Sequence, residues 1–435
     1  MKKNWRAEYE SKRMTSDEAV KIVRDGDRIY IGTAASVAYE LDAALARRAN
    51  ELNDITLMYS HCFKPLATAK VEHFKVITYF LSAAERTLVN TPRFDYTSFH
   101  LSQSGLWCKK VGKPTVAFLD VSLPDENGYC SLGAGGVVTS EGILESADRI
   151  ILQVNKYEPY VTGRSTLIHI SQADAIVEFD DPLAQGISRE ETDPDFLKIA
   201  ELVADEIPDG ACLQFGGGHV IDAIAPKLME KNDLGIHTEL MGIGMMKLIK
   251  NGNVNNKYKQ IHKGETVVGF IAGNNELYEF ADHNDKLYFA PLTYVNDPSV
   301  SSQNDNFISI NSCLYIDLFG QVGSENINGV QYSGIGGQVD FVRGAQLSKG
   351  GKSILTCGST FEKRDGSKGS RIVPFIPGGT PVTTSRADVH YVATEYGCVN
   401  LKELTMRERC RAIIDLAEPQ FREELTAFAI KHNML

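Results

Sequence analysis

The feature that most constrains this chain of 435 residues is that its second half restates the opening of its first. Residues 25–32 read Asp25-Gly26-Asp27-Arg28-Ile29-Tyr30-Ile31-Gly32. At an offset of 184, residues 209–216 read Asp209-Gly210-Ala211-Cys212-Leu213-Gln214-Phe215-Gly216. Helix-like stretches at 16–24 and 196–206 precede the two copies, and others at 37–52 and 220–230 follow them, with apolar residues recurring at three and four. Asp-Gly turns are common, so one match alone carries little. The shared order of helix, turn, strand, glycine loop, helix and strand reads as an internal duplication. Shortening the offset by one lays Thr56-Leu57-Met58 on Glu239-Leu240-Met241, which puts Glu239 at the place of Thr56.

Between the helix-like stretches lie short β-branched runs. They fall at 28–31, 54–59, 74–80, 115–121, 149–154, 211–215, 235–240, 267–271, 307–311 and 389–392. Such alternation predicts an α/β class with largely parallel sheets. The length exceeds one ordinary core, so two similar open α/β domains are expected, 1–186 and 187–435. Asp181-Pro182 and Asp193-Pro194 bracket a polar segment at that boundary.

A net charge of −11 argues against a general nucleic-acid or membrane-surface binder, though not against an anionic ligand held by local amides. The eight cysteines are scattered with no CxxC pair, which fits a reducing cytoplasm and gives no metal or disulfide framework. Residues 1–10 are charged and lack an apolar core, so no signal peptide is expected. No apolar run reaches the ~18 residues of a membrane span.

Four segments could carry chemistry. Gln214-Phe215-Gly216-Gly217-Gly218-His219 places glycines between a strand and a helix, where amides can approach an anion or simply pack closely. In Leu234-Gly235-Ile236-His237-Thr238-Glu239-Leu240-Met241-Gly242 a carboxylate stands in a strand-like run, which is unusual unless it is paired, functional or at an exposed end. His237 shares its face, a metal half-site lacking a third ligand. In Ser333-Gly334-Ile335-Gly336-Gly337-Gln338-Val339-Asp340-Phe341-Val342-Arg343 three glycines in four residues free amides for an oxyanion hole or form a structural turn, and an Asp340–Arg343 ion pair would brace it. Pro377-Gly378-Gly379 is a turn leading to Arg386, for which contacts to Asp388 or Glu395 are expected. Ser385 and His390 do not make a serine hydrolase, because no GxSxG elbow is present.

Together these segments resemble the acetyl-CoA hydrolase/transferase family over essentially the whole chain. The most specific pieces are Gly235-Ile236-His237-Thr238-Glu239, and Gly336-Gly337-Gln338 through Asp340-Phe341-Val342-Arg343-Gly344-Ala345. Thr383-Thr384-Ser385-Arg386, Val392-Ala393-Thr394-Glu395-Tyr396-Gly397 and Ile310-Asn311-Ser312-Cys313 add to them. The look is nearest to 4-hydroxybutyrate CoA-transferases, then to butyryl-CoA:acetate CoA-transferases. The resemblance implies a CoA-transferase-like duplication with the active site between the two domains, and a homodimer. It implies coenzyme A as substrate and no permanently bound cofactor. It makes Glu239 the nucleophile, sets Asn311 near the thioester, and gives the loops at Gly216, Gly217, Gly218 and Gly334, Gly336, Gly337, with Gln338, the CoA and oxyanion contacts. His219 and Gly242-Ile243-Gly244 depart from the family pattern and bear on the acyl pocket.

A glutamate at its ordinary pKa of ~4.3 would already be anionic and need no general base. A ping-pong exchange through a glutamyl-CoA thioester follows from such a nucleophile. The rivals are an acyl-CoA hydrolase, which needs no second carboxylate, and a non-catalytic metabolite sensor, disfavoured because Glu239 interrupts the repeat.

Overall fold

The computed structural model describes residues 5–186 and 193–435. The expected boundary at 186/187 abuts residues 187–192, which lie outside the described residues, as does the side chain of His219. Two compact units emerge. One comprises Met1–Ile187, Leu240–Ile243 and Val267–Val295, and the other Ser188–Glu239, Gly244–Thr266 and Asn296–Leu435.

The first unit is built on a parallel sheet. Its strands are β1 (Arg28–Thr33), β2 (Thr56–Ser60), β3 (Lys75–Thr78), β4 (Phe94–Tyr96), β5 (Val116–Val121), β6 (Arg149–Val154) and β7 (Ala175–Glu178), in the order β7-β6-β5-β1-β2-β3-β4. Strands covered on both faces read as continuous apolar runs rather than alternating ones. Accordingly β5 is buried along its whole length. Helix α1 (Tyr39–Arg47) follows β1 and buries Leu41 and Leu45 in a core with Ile29, Ile31, Leu57 and Phe118.

The second unit opens with helix α2 (Pro194–Asp205), which Asp193 caps by accepting from the Asp195 amide at 2.9 Å, with Pro194 in the first turn. It continues with β8 (Cys212–Phe215), α3 (His219–Lys227), β9 (Gly235–Met241), β10 (Phe307–Ser312), α4 (Gln338–Leu347), β11 (Lys352–Thr356), β12 (Tyr391–Thr394) and β13 (Gly397–Asn400). These strands run β9-β8-β10-β11-β12-β13, parallel except for the terminal hairpin β12-β13.

Five strands of each sheet share one plan, with β7-β6-β5-β1-β2 answering to β12-β11-β10-β8-β9. The registers agree as well. Arg28 pairs with Thr56 as Cys212 pairs with Gly235, and Ile29 with Val116 as Leu213 with Ile308. Val116 pairs with Arg149 as Ile308 with Lys352, and Ile151 with Ala175 as Ile354 with Tyr391. A clasp recurs at each turn. The Asn53 amide donates to Asp25 at 2.8 Å and the Asn232 amide to Asp209 at 2.8 Å. The Gly26 and Gly210 amides return bonds to the carbonyls of Asn53 and Asn232. Gly26 (φ +81°) and Gly210 (φ +77°) take the left-handed conformation that glycine adopts without steric cost.

This register corrects one expectation. The partner of Thr56 in the second half is Gly235, and Glu239 falls at the place of Ser60, the last residue of β2. Matching Leu-Met to Leu-Met slid the strand by four residues. The structure also has β7 and β11, which the apolar pattern did not mark. The short run Lys352-Ser353-Ile354-Leu355-Thr356 has only two apolar residues although four of its five are buried.

Candidate active site

Ligands in open α/β sheets bind beyond the carboxyl ends of the strands. Glu239 stands near that end of β9, Gly216–Gly218 follows β8, and Asn311 and Ser312 close β10, so three neighbouring strands deliver the expected residues to one edge.

Around Glu239 the fold supplies one strong donor. Asn296 Nδ2 donates to Glu239 Oε2 at 2.5 Å, from a side chain with no solvent exposure. Asn296 is held in turn because Asp297 caps the helix Pro298–Ser301, its carboxylate accepting from the Ser299 amide. That short helix packs on α4, where a Cβ on Gly344 would lie 3.6 Å from the Cα of Pro298. Helix α4 brings Gly337 as its N-cap. A Cβ at Gly337 would fall on both Glu239 Oε2 and Asn296 Nδ2, and would sit 3.0 Å from the Phe341 ring. Only glycine fits beside the carboxylate. Gly336, at φ +66°, makes the left-handed step just before it. The loop is braced at its base. The Tyr332 and Ser333 amides donate to the Glu325 carbonyl, and the Glu325 carboxylate accepts from Thr383 and Gln331, both at 3.1 Å.

Burial pushes the Glu239 carboxyl up to about 7; the Asn296 bond pulls it down, and the charge of Asp340, one turn into α4, raises it. The expectation of a glutamate at its ordinary carboxyl value is therefore corrected: burial raises it from that value toward neutrality.

Asn311 forms a second group. It exchanges amide bonds with Gln214 (3.0 and 3.3 Å), and a Cβ on Gly216 would meet its Oδ1 at 2.6 Å. Ser312 Oγ donates to the Gly217 carbonyl at 3.3 Å, and Gly218, at φ +129°, caps α3 where a Cβ would meet that hydroxyl at 2.9 Å. Gly217 and Gly218 are exposed. Gly334, Gly336 and Gln338 are buried with Gly337 in the other loop.

Asn296 was not visible in the sequence. It lies 57 residues from Glu239 in no glycine motif, and its only signal is a place just before an Asp-Pro helix start. The braces differ from expectation too. Arg343 pairs with Asp388 (3.3 Å) rather than Asp340, Glu395 accepts from Ser359, and Arg386 lies over the Phe319 ring. His237 is fully buried, edge-on to Phe307, and among the described residues no acidic, His or Cys cluster could hold a metal ion.

Two family models match the chain, the acetyl-CoA hydrolase/transferase N-terminal domain over residues 1–185 and its C-terminal domain over 273–429. The chain belongs to the acetyl-CoA hydrolase/transferase family. It is thus an enzyme, and relatives named CoA transferases align over its full length. It is 41% identical to the 4-hydroxybutyrate coenzyme A transferase of Clostridium kluyveri over 97% of this chain and 98% of that one. It is 37% identical to the succinyl-CoA:cyclohexane-1-carboxylate CoA transferase of Geobacter metallireducens over 100% and 98%. Among solved structures, RipA from Yersinia pestis superposes with a TM-score of 0.93 at 39% identity, over 99% of this chain and all of that one. The 4-hydroxybutyrate CoA-transferase of Porphyromonas gingivalis does so with 0.81 at 32%, over the same shares. Among the described residues no helix is long and apolar enough to cross a membrane.

Proposed function

We propose that this family member moves CoA between acetyl-CoA and a short-chain carboxylate, 4-hydroxybutyrate first among candidates, with Glu239 as covalent nucleophile. The observation that carries the reading is the carboxylate near the end of β9, bonded by Asn296 and approached so closely by Gly337 that no side chain fits between. The 4-hydroxybutyrate choice rests on the Clostridium kluyveri and Porphyromonas gingivalis relatives; butyrate is the next candidate.

Ionised Glu239 attacks the acyl-CoA carbonyl. The C–S bond breaks, giving a mixed anhydride and CoA thiolate. The thiolate attacks the glutamyl carbonyl, the carboxylate product leaves, and the enzyme holds CoA as a thioester. The second acid reverses the steps, a ping-pong course. Each addition builds negative charge on oxygen, for which the backbone amides of the Gly336–Gln338 loop, whose Gly337 lies against the carboxylate, would be the donors; one such donor is worth roughly 3–4 kcal/mol. Gly216–Gly218, with Gly217 and Gly218 exposed, supply the CoA contact, with Asn311 and Gly334 shaping the two loops. Asn296 keeps one carboxylate oxygen fixed and favours its ionised form. The reading extends to a homodimer, which sedimentation would check.

The test is intact-protein mass after incubation with acetyl-CoA. A CoA-sized adduct on the wild type, chased by 4-hydroxybutyrate and absent from Glu239→Gln, is expected. An adduct surviving in the variant would remove Glu239 from the chemistry. Thioester loss without any acceptor would favour the hydrolase.

A further inference from the structure

Two cysteines in the second unit stand side by side, and nothing in the acyl-transfer chemistry uses them. Ser312 at the end of β10 pairs with Thr356 at the end of β11, and the next residue on each strand is a cysteine, Cys313 and Cys357. The Cys313 amide donates to the Thr356 carbonyl at 2.9 Å, which carries the parallel pairing to this position. Paired residues of adjacent strands point to one face at a separation within the span of a disulfide. Both cysteines belong to one buried apolar cluster, and both are free. They are 6% and 4% exposed. Two charged groups face the pair. The Arg371 guanidinium is fixed beside it, donating to the carbonyl of Leu314, next in chain to Cys313, at 3.3 Å. The buried Glu395 carboxylate is the other, and it is occupied by the amide and hydroxyl of Ser359.

We propose that Cys313 and Cys357 are a redox-active dithiol, a modification site that hydrogen peroxide closes to a disulfide. The Cys357 thiolate attacks one peroxide oxygen. The O–O bond breaks, leaving a sulfenic acid on Cys357 and hydroxide, which takes up the thiol proton as water. The Cys313 sulfur then attacks the sulfenic sulfur, the S–O bond breaks, and a second water leaves. Two thiols lose two electrons and two protons, and one peroxide becomes two waters. The direction fits the environment. The neighbouring Cys313 thiol holds the Cys357 thiol below the ordinary range, helped by Arg371 against the opposing effect of burial, while the Cys357 thiol and burial push Cys313 up.

The consequence reaches the glycine loop, and this part rests on reading Gly216–Gly218 as the CoA contact. Ser312, directly before Cys313, donates to the Gly217 carbonyl. Tying the two strand ends together shifts that anchor, so the oxidised enzyme turns over more slowly and recovers on reduction.

The experiment treats the full-length enzyme with one equivalent of hydrogen peroxide. Expected are a mass lower by two hydrogen atoms, two fewer of the eight titratable thiols in denaturant, and one cross-linked peptide joining Cys313 to Cys357. Turnover should drop and return with dithiothreitol. Cys313→Ser, and independently Cys357→Ala, should show neither cross-link nor peroxide-sensitive turnover. Oxygen addition without a cross-link, or a cross-link elsewhere, overturns the site. A Cys313–Cys357 cross-link with unchanged turnover overturns its coupling to the loop while leaving the acyl-transfer reading untouched, since the glutamyl-CoA adduct is measured separately.

Discussion

At the carboxyl edge of the first sheet, Ser60 and Thr33 share a hydroxyl hydrogen bond of 2.8 Å, and the Thr33 hydroxyl also reaches the Ser60 carbonyl. Asp120, which occupies the place of Ser312, accepts from Gln153 (2.8 Å) and Asn155 (3.1 Å), and burial with the neighbouring Glu158 pushes its carboxyl well up. The matching edge of the second sheet is different. There the Ser60 position holds Glu239, with one amide donor on one oxygen and a glycine against it. The two edges show how one frame yields a structural and a reactive end. In the first, short polar side chains satisfy one another across strands, which is what a buried polar group requires. In the second, a longer carboxylate is given a single fixed partner, and bare backbone occupies the space that side chains fill elsewhere.

The contrast is broken most severely by Glu239→Gln, which should lower acetyl-CoA-dependent turnover by on the order of 10⁴-fold. If turnover persisted, the second edge would be as structural as the first. Gly337→Ala comes next, since its methyl would occupy the place of Oε2 and Asn296 Nδ2. A displaced carboxylate should cost roughly 10²-fold in kcat with the chain still folded, read by kinetics alongside circular dichroism. Asn296→Ala should cost about tenfold in kcat. It should also move the acid limb of the pH–rate profile. The reactive form is the carboxylate, and its carboxyl lies at about 7, so wild-type turnover falls as pH drops through neutrality. The Asn296 bond lowers that value, so its loss carries the limb to higher pH. A limb that stays put or moves to lower pH would mean Asn296 does not favour the ionised form. The smallest effect belongs to the structural edge. Ser60→Ala should leave kcat and KM unchanged and reduce unfolding stability by about 1 kcal/mol in denaturant titration, because Thr33 keeps its bond to the Ser60 carbonyl.

Much of this frame is legible in the sequence because it depends on local pattern. The Asp25-Gly26 and Asp209-Gly210 turns, the β-branched runs, and glycine loops between strand and helix each follow from nearby residues. Register was not legible in the same way. Leu57-Met58 and Leu240-Met241 look alike but are not equivalent, whereas Asn53-Asp54 and Asn232-Asp233 are, and share both the clasp and a left-handed Asp (φ 55° and 62°). Asn296 is illegible for another reason. Its role is fixed by packing of α4 on the helix Pro298–Ser301, a contact with no local code. The upward shift of Glu239 likewise comes from burial and from Asp340, about a hundred residues along the chain, neither of which the strand pattern states.

The clasp also acts as a ruler. It spans 28 residues from Asp25 to Asn53 but only 23 from Asp209 to Asn232, yet the strands it joins meet in the same register. Five residues have been gained or lost inside a closed interval without a slip outside it. The connection between the clasp points is thus a tolerant insertion zone, and grafts cut at Asp-Gly and Asn-Asp should exchange loop and helix while keeping the end of the strand, and whatever residue stands there, at a constant height.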